Sequence, residues 1–127
     1  MKRLSSGSPW EAKIGYSRAV VANGFVFVSA TAATDAEGRI VGKGDVYTQV
    51  KTILAKFAPV LAEAGSGFEH VVQTRIYVTD ISEWEAVGRA HAEVFGAARP
   101  ALSLVHVKPF LDPDMLVEIE IVSVVAN

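Results

Sequence analysis

The chain has 127 residues, half of them hydrophobic and a fifth charged, with a formal net charge of −2. That length suits one domain that buries roughly two-thirds of its unfolded surface, and the composition is far from that of a disordered chain. The 12 basic residues are scattered, so no stripe marks a phosphate-backbone footprint, and the absence of cysteine excludes disulfides, thiol nucleophiles and thiolate metal sites.

Residues 1–15 mix Ser, Gly and Pro and read as an irregular lead-in. The start, MKRLSSGSPW, has two early positive charges but no apolar stretch behind them, and no apolar run approaches the ~20 residues of a membrane span. The expectation is a soluble, cytoplasmic domain without membrane contact. Strands are predicted over Ser17–Ala22 and Phe25–Ala30, joined at Asn23-Gly24, because a type I′ turn needs φ > 0 at both central residues. A loop over 34–38 follows, with a short strand at 39–41.

The next segment is helical. Val46, Val50, Ile53, Leu54, Phe57, Val60 and Leu61 recur at spacings of three and four, predicting a helix over 46–64 with Asp45 as N-cap and Gly65 just past its end. Pro59 removes one backbone hydrogen bond inside it, so a kink is expected there. Residues 70–78 alternate as a strand, with Val72, Thr74, Ile76 and Val78 on one face. Asp80 or Ser82 caps a second helix to about Val94, which buries Trp84, Val87, His91 and Val94. A strand over 101–107, a turn at Asp112-Pro113-Asp114 and a long strand over 115–125 complete the chain.

The predicted order β-β-(β)-α-β-α-β-β describes an α+β fold, a mixed sheet with two helices. Two helices cover one face of such a sheet, yet the last strand is apolar on both sides. The second cover is expected from another copy of the chain.

Few residues stand out as chemical groups. Glu118 and Glu120 lie two apart, hence on one face, among apolar neighbours; such carboxylates are either paired at a rim or orient a ligand. His70, His91 and His106 show no metal-ligand spacing, and neither a metal nor a cofactor is expected. Ser29 closes the run FVFVS before a TAAT segment whose backbone N–H groups could meet a carboxylate. Tyr16 either caps the core or lines a pocket, and Arg18, Arg75 and Arg99 are the cations nearest the strands.

IGYSRAV (14–20), the strand ending at Ser29, Asp45 with Gln49 and Leu54, YVTD (77–80), Phe95-Gly96 and VEIEIVSV (117–124) together resemble the Rid/YjgF family of reactive intermediate deaminases, also described as L-PSP endoribonuclease-like. The resemblance runs from about Ile14 to Val125. It implies a chorismate-mutase-like fold and a homotrimer with a central barrel and small-molecule clefts between subunits. In those clefts enamine or imine products are hydrolysed to 2-oxo acids. By the same resemblance Tyr16, Ser29, Ala30, Gly88, Leu102 and Ser103 line the pocket, and Glu120 positions the attacking water. The departures are as informative as the matches. Where the family has an arginine in P-A-R-S, this chain has Leu102 in Pro100-Ala101-Leu102-Ser103; where it has an asparagine on the second helix, this chain has Gly88; and Ala30-Thr31 follows Ser29 in place of Gly-Gln. A missing arginine removes a charge-assisted carboxylate anchor. The expectation is a metabolite-binding homotrimer that is weak or inactive on 2-imino acids. An active deaminase or hydrolase for a less anionic substrate, an endoribonuclease and a non-catalytic interaction module are the alternatives.

Overall fold

Asn23 and Gly24 both adopt positive φ, 52° and 79°, and turn strand Ala19–Ala22 (β2) back onto Phe25–Ala32 (β3), in a computed structural model that describes residues 1–126. The lead-in is more ordered than its composition suggests. Lys2–Leu4 (β1) pairs antiparallel with β2, and Pro9–Ile14 (α1) forms a short helix. Ser8 accepts from the Trp10 amide, Pro9 occupies the first turn, and Gly15 ends the helix at φ 90°. Six residues are too few for a periodicity signal. Ser6 donates its amide and hydroxyl to the buried Glu11 carboxylate, at 3.0 and 2.5 Å, which ties this helix to the preceding loop. The expected strand at 39–41 is reduced to one bridge, Thr34 to Ile40.

Val46–Glu63 (α2) begins on the Asp45 side chain, which accepts from Thr48, and runs through Pro59. That proline sits on the exposed side, where water can take the Ala55 carbonyl it leaves unbonded. Val71–Val78 (β4) follows a single 3-10 turn at Phe68–His70. A register shift against the last strand between Val71 and Gln73 buries Val71 and leaves Val72 exposed, so the buried face reads Val71, Thr74, Ile76, Val78. Asp80 caps a 3-10 turn at Ile81–Glu83 ahead of Trp84–Phe95 (α3). Trp84 is 58% exposed, not buried; Val87, Ala90, His91 and Phe95 carry the inward stripe.

Ala101–His106 (β5) and Val117–Val124 (β6) complete a six-stranded sheet of order β1-β2-β3-β6-β4-β5, with β4 and β5 parallel and the other pairs antiparallel. The C-terminal strand therefore lies in the middle. Its odd-numbered residues Val117, Ile119, Ile121 and Ser123 are buried toward α2 and α3, with Phe57, Ile53, Leu54 and Leu61 filling the core. Glu118, Glu120, Val122 and Val124 face the other way. On that open face Phe25, Phe27 and Val72 are 43%, 47% and 44% exposed. No helix is long and apolar enough to cross a membrane among the described residues.

His91 is the one buried histidine. Its Nε2 lies 2.9 Å from the Thr74 hydroxyl and its ring 4.8 Å from that of Phe95. Burial holds its pKa below the ordinary 6.5. The unfolded chain then binds this proton more readily than the folded one. Stability is complete above about 6.5 and falls as pH drops toward the folded-state pKa. Urea midpoints across this range are expected to decline with acid in the native chain and to decline less in His91→Gln; parallel declines would refute the assignment.

Candidate functional site

A β-bulge organises the centre of the open face. In the β3–β6 ladder Val28 pairs with Ile121 and Thr31 with Ile119, so Ser29 and Ala30 together oppose Glu120. The strand does not stop at the predicted Ala30 but bends at Ser29-Ala30 and continues to Ala32. Ser29 Oγ donates to the Ser17 carbonyl at 2.7 Å, so its hydroxyl is committed to fastening the bulge onto the residues before β2.

Arg18 fills the edge that the bulge exposes. Its Nη1 donates to Thr31 Oγ1 (2.6 Å) and to the carbonyls of Ala30 (3.1 Å) and Ser29 (3.4 Å). Its guanidinium lies 5.6 Å from the Tyr16 ring, with Nη2 3.4 Å from the Tyr16 hydroxyl. Tyr16 and Ser29 line one cleft of about 540 Å³ with Arg3, Glu11, Ser17 and Val20. From the helix side, Lys56 Nζ donates to the Ala32 carbonyl (2.8 Å) and Thr34 Oγ1 (2.9 Å). Burial, then the neighbouring Arg18 charge, lowers its pKa.

The two glutamates of β6 differ in a way their spacing does not announce. Glu120 accepts a short hydrogen bond from the Tyr77 hydroxyl, and Arg75 Nη1 pairs with the same oxygen at 3.3 Å. That hydrogen bond, with burial and the carboxylate charge, raises the tyrosine's pKa. Glu118 has no hydrogen-bond or ion-pair partner among the described residues. Burial raises its pKa and the Arg18 charge opposes the rise. The carboxyl free to touch a ligand is therefore Glu118, and Glu120 is the paired one.

The remaining expected pocket residues lie elsewhere. Gly88 sits on the exposed side of α3, where a Cβ would meet no atom within 4 Å. Leu102, 49% exposed, and Ser103 are on β5, an edge strand. Register puts Leu102 beside Thr74 on the helix side of the sheet and Ser103 beside Arg75 on the open side. Arg99 does not belong to either strand face. It precedes β5 in a left-handed conformation (φ 50°) and lines a separate hollow with Glu69, His70 and Pro100. From β2 to β5 there are four strand spacings of about 4.8 Å, about 19 Å in all. Tyr16, Ser29 and Ala30 thus stand at one side of the sheet and Leu102 at the other. Among the described residues no group of three or more His, Asp or Glu side chains is arranged to hold a metal ion.

This topology has close counterparts. The family model described as Endoribonuclease L-PSP matches residues 7–125. The chain belongs to the Rid/YjgF family. It is 40% identical to a RutC family protein, slr0709, from Synechocystis, over 86% of this chain and 85% of that one. An uncharacterized protein, SCO2049, from Streptomyces coelicolor is 39% identical over 95% and 90% of the two chains. The crystal structure of Rv2704 from Mycobacterium tuberculosis, described as a member of the highly conserved YjgF/YER057c/UK114 family, superposes with a TM-score of 0.87 at 40% identity, covering 98% of each chain. The α+β sheet with two main helices is the fold of this Rid/YjgF neighbour, and the expected family and fold class hold.

Proposed function

We propose that this Rid/YjgF-family chain is a cytoplasmic homotrimer that binds a small metabolite in clefts between subunits and is weak or inactive as a 2-imino-acid deaminase. The observation that carries the reading is the separation of the pocket residues. Tyr16, Ser29, Ala30 and Glu118 lie about 19 Å or less from β5 across the sheet. Leu102, Ser103 and Gly88 join them in one pocket only when β5 of one copy meets the β2–β3 side of another. The open face supplies apolar surface for such a contact.

Leu102 supports the second half of the proposal. An arginine there would hold a substrate carboxylate by two parallel hydrogen bonds; leucine offers no donor, and a lost charge-assisted pair of this kind costs several kcal/mol when buried. Mixing the protein with an amino-acid oxidase and trapping the imine as its semicarbazone tests this. Imine decay is expected at the uncatalysed rate. Clear acceleration at catalytic protein concentrations would overturn the reading.

A hydrolase reading has one observation in its favour, the unpaired carboxyl of Glu118. A half-buried acid whose pKa is raised suits proton transfer to a leaving amine or orientation of a water. In that reading Glu118 takes the water-positioning role that family resemblance gave to Glu120.

A further inference from the structure

We propose that Glu11 is the ligand-facing charge of the cleft beside Tyr16, and that it selects a molecule bearing a protonated amine. The inference rests on the cleft reading above and deepens it by naming the chemical class that the cleft accepts.

A carboxylate has room for about four hydrogen-bond donors. Glu11 has two, the Ser6 amide and hydroxyl, and both go to Oε2. Oε1 has no donor among the described residues. No fully buried polar side-chain atom among them lacks a partner, so Oε1 is open to solvent although the residue as a whole is only 8% exposed. Glu11 lines the cleft of about 540 Å³ together with Arg3, Ala12, Tyr16, Val20 and Ser29. A nearly buried acid with one bare oxygen is short of a donor. An ammonium group supplies that donor together with the opposite charge, and the Ala12, Val20 and Tyr16 side chains offer apolar surface to the carbon chain behind it.

The carboxylate is also set before any ligand arrives. Ser8 and Gly15 fix the two ends of α1, and Ser6 clamps the Glu11 side chain from the preceding loop. Burial pushes its pKa up, but the Ser6 hydroxyl and amide, then the Ser5 hydroxyl and the Arg18 charge, more than offset this and hold it below the ordinary value.

Two arginines bear on this carboxylate without completing its bonds. Arg18 spends Nη1 on the bulge, acts on Glu118 as well, and forms no ion pair with Glu11. Arg3 reaches the cleft from β1 but is exposed, so water and salt screen its charge. Neither places an N–H on Oε1. This recognition is opposite in sign to that of the arginine Leu102 replaces, so a cleft that favours an amine is compatible with weak activity on 2-imino acids.

NMR of the full-length protein with three probes of one size, butylammonium, 1-butanol and butyrate, tests the proposal. Butylammonium is expected to shift the amides of Glu11, Ala12, Gly15 and Tyr16 and the Glu11 carboxyl carbon, with an affinity that falls as salt rises. The other two are expected to bind about tenfold more weakly or worse. Glu11→Gln keeps an oxygen for Ser6 and removes the charge; it is expected to weaken butylammonium about tenfold and leave 1-butanol unchanged. The carboxyl-carbon shift of the native chain stands as a readout even if that variant folds poorly. Butyrate or 1-butanol binding as tightly as butylammonium, or an unchanged butylammonium affinity in a folded Glu11→Gln protein, would overturn the role of Glu11 and leave the cleft reading standing. Absence of any shift at Gly15, Tyr16 and Ser29 with all three probes would overturn both.

Discussion

Gln49→Leu will destabilise the folded chain by about 3–5 kcal/mol, the largest single-residue effect anticipated outside the apolar core. Gln49 is fully buried on α2. Its Nε2 donates to the carbonyls of Gly42 (3.1 Å) and Asp114 (2.9 Å), and its Oε1 accepts from the Leu116 amide at 2.9 Å. One side chain therefore satisfies three backbone groups from two loops, one before α2 and one before β6. Leucine matches the volume and satisfies none of them. The Gly42 carbonyl keeps the Asp45 amide, but the Asp114 carbonyl and the Leu116 amide lose their partner, each at about 1–3 kcal/mol. A domain of this size has only about 5–15 kcal/mol of stability in total. Urea denaturation measures the loss directly. Asp45→Ala, which removes the exposed N-cap of the same helix, should cost about 1 kcal/mol and serves as the reference. A Gln49→Leu cost no larger than that of Asp45→Ala would refute the account. Because Leu116 leads straight into β6, the same substitution should also broaden the NMR signals of Glu118.

Phe27→Asp is expected to convert the proposed homotrimer to single chains. Phe27 lies on the open face, 47% exposed, opposite Val20 on β2 and Val122 on β6, with its ring 6.2 Å from that of Phe25. In the proposed trimer this apolar face is the contact between copies, and an aspartate placed within it would be desolvated without a partner. In the isolated chain the same aspartate meets water. Light scattering should report three times the 13.6 kDa chain mass for the native protein and one chain mass for the variant. Ala58→Asp, a charge at an exposed position on α2, which covers the other face of the sheet, should leave the mass unchanged. A native protein that is already monomeric would refute the homotrimer, and a Phe27→Asp protein of unchanged mass would refute the choice of face.

Both effects depend on groups whose importance the sequence shows unequally. Phe27 is legible: it alternates with Val26 and Val28 in a short strand behind an Asn-Gly turn, and local rules assign it to the face opposite theirs. Gln49 is legible only as a polar residue on an apolar helical stripe, because its three partners come from residues 7 and 65–67 positions away. The two glutamates divide in the same way. A period of two places Glu118 and Glu120 on one face, but their difference comes from β4, where Tyr77 and Arg75 are in reach of one carboxylate. Val72 misled the alternation because one shift in register, invisible in a single strand, exchanges inside for outside. The short α1 and β1 escaped because six and three residues carry no period.

The chain by itself determined its longer elements, most of their buried positions and the family resemblance. Each of these depends on neighbours within a few residues, where steric preference, capping and hydrophobic spacing act directly. Only the tertiary structure decided that the last strand lies between β3 and β4, that the bulge at Ser29-Ala30 meets it, and that Glu120 is paired while Glu118 is not. Those outcomes come from contacts between segments tens of residues apart, which are selected by the packing of the whole sheet and leave no periodic trace in any one strand.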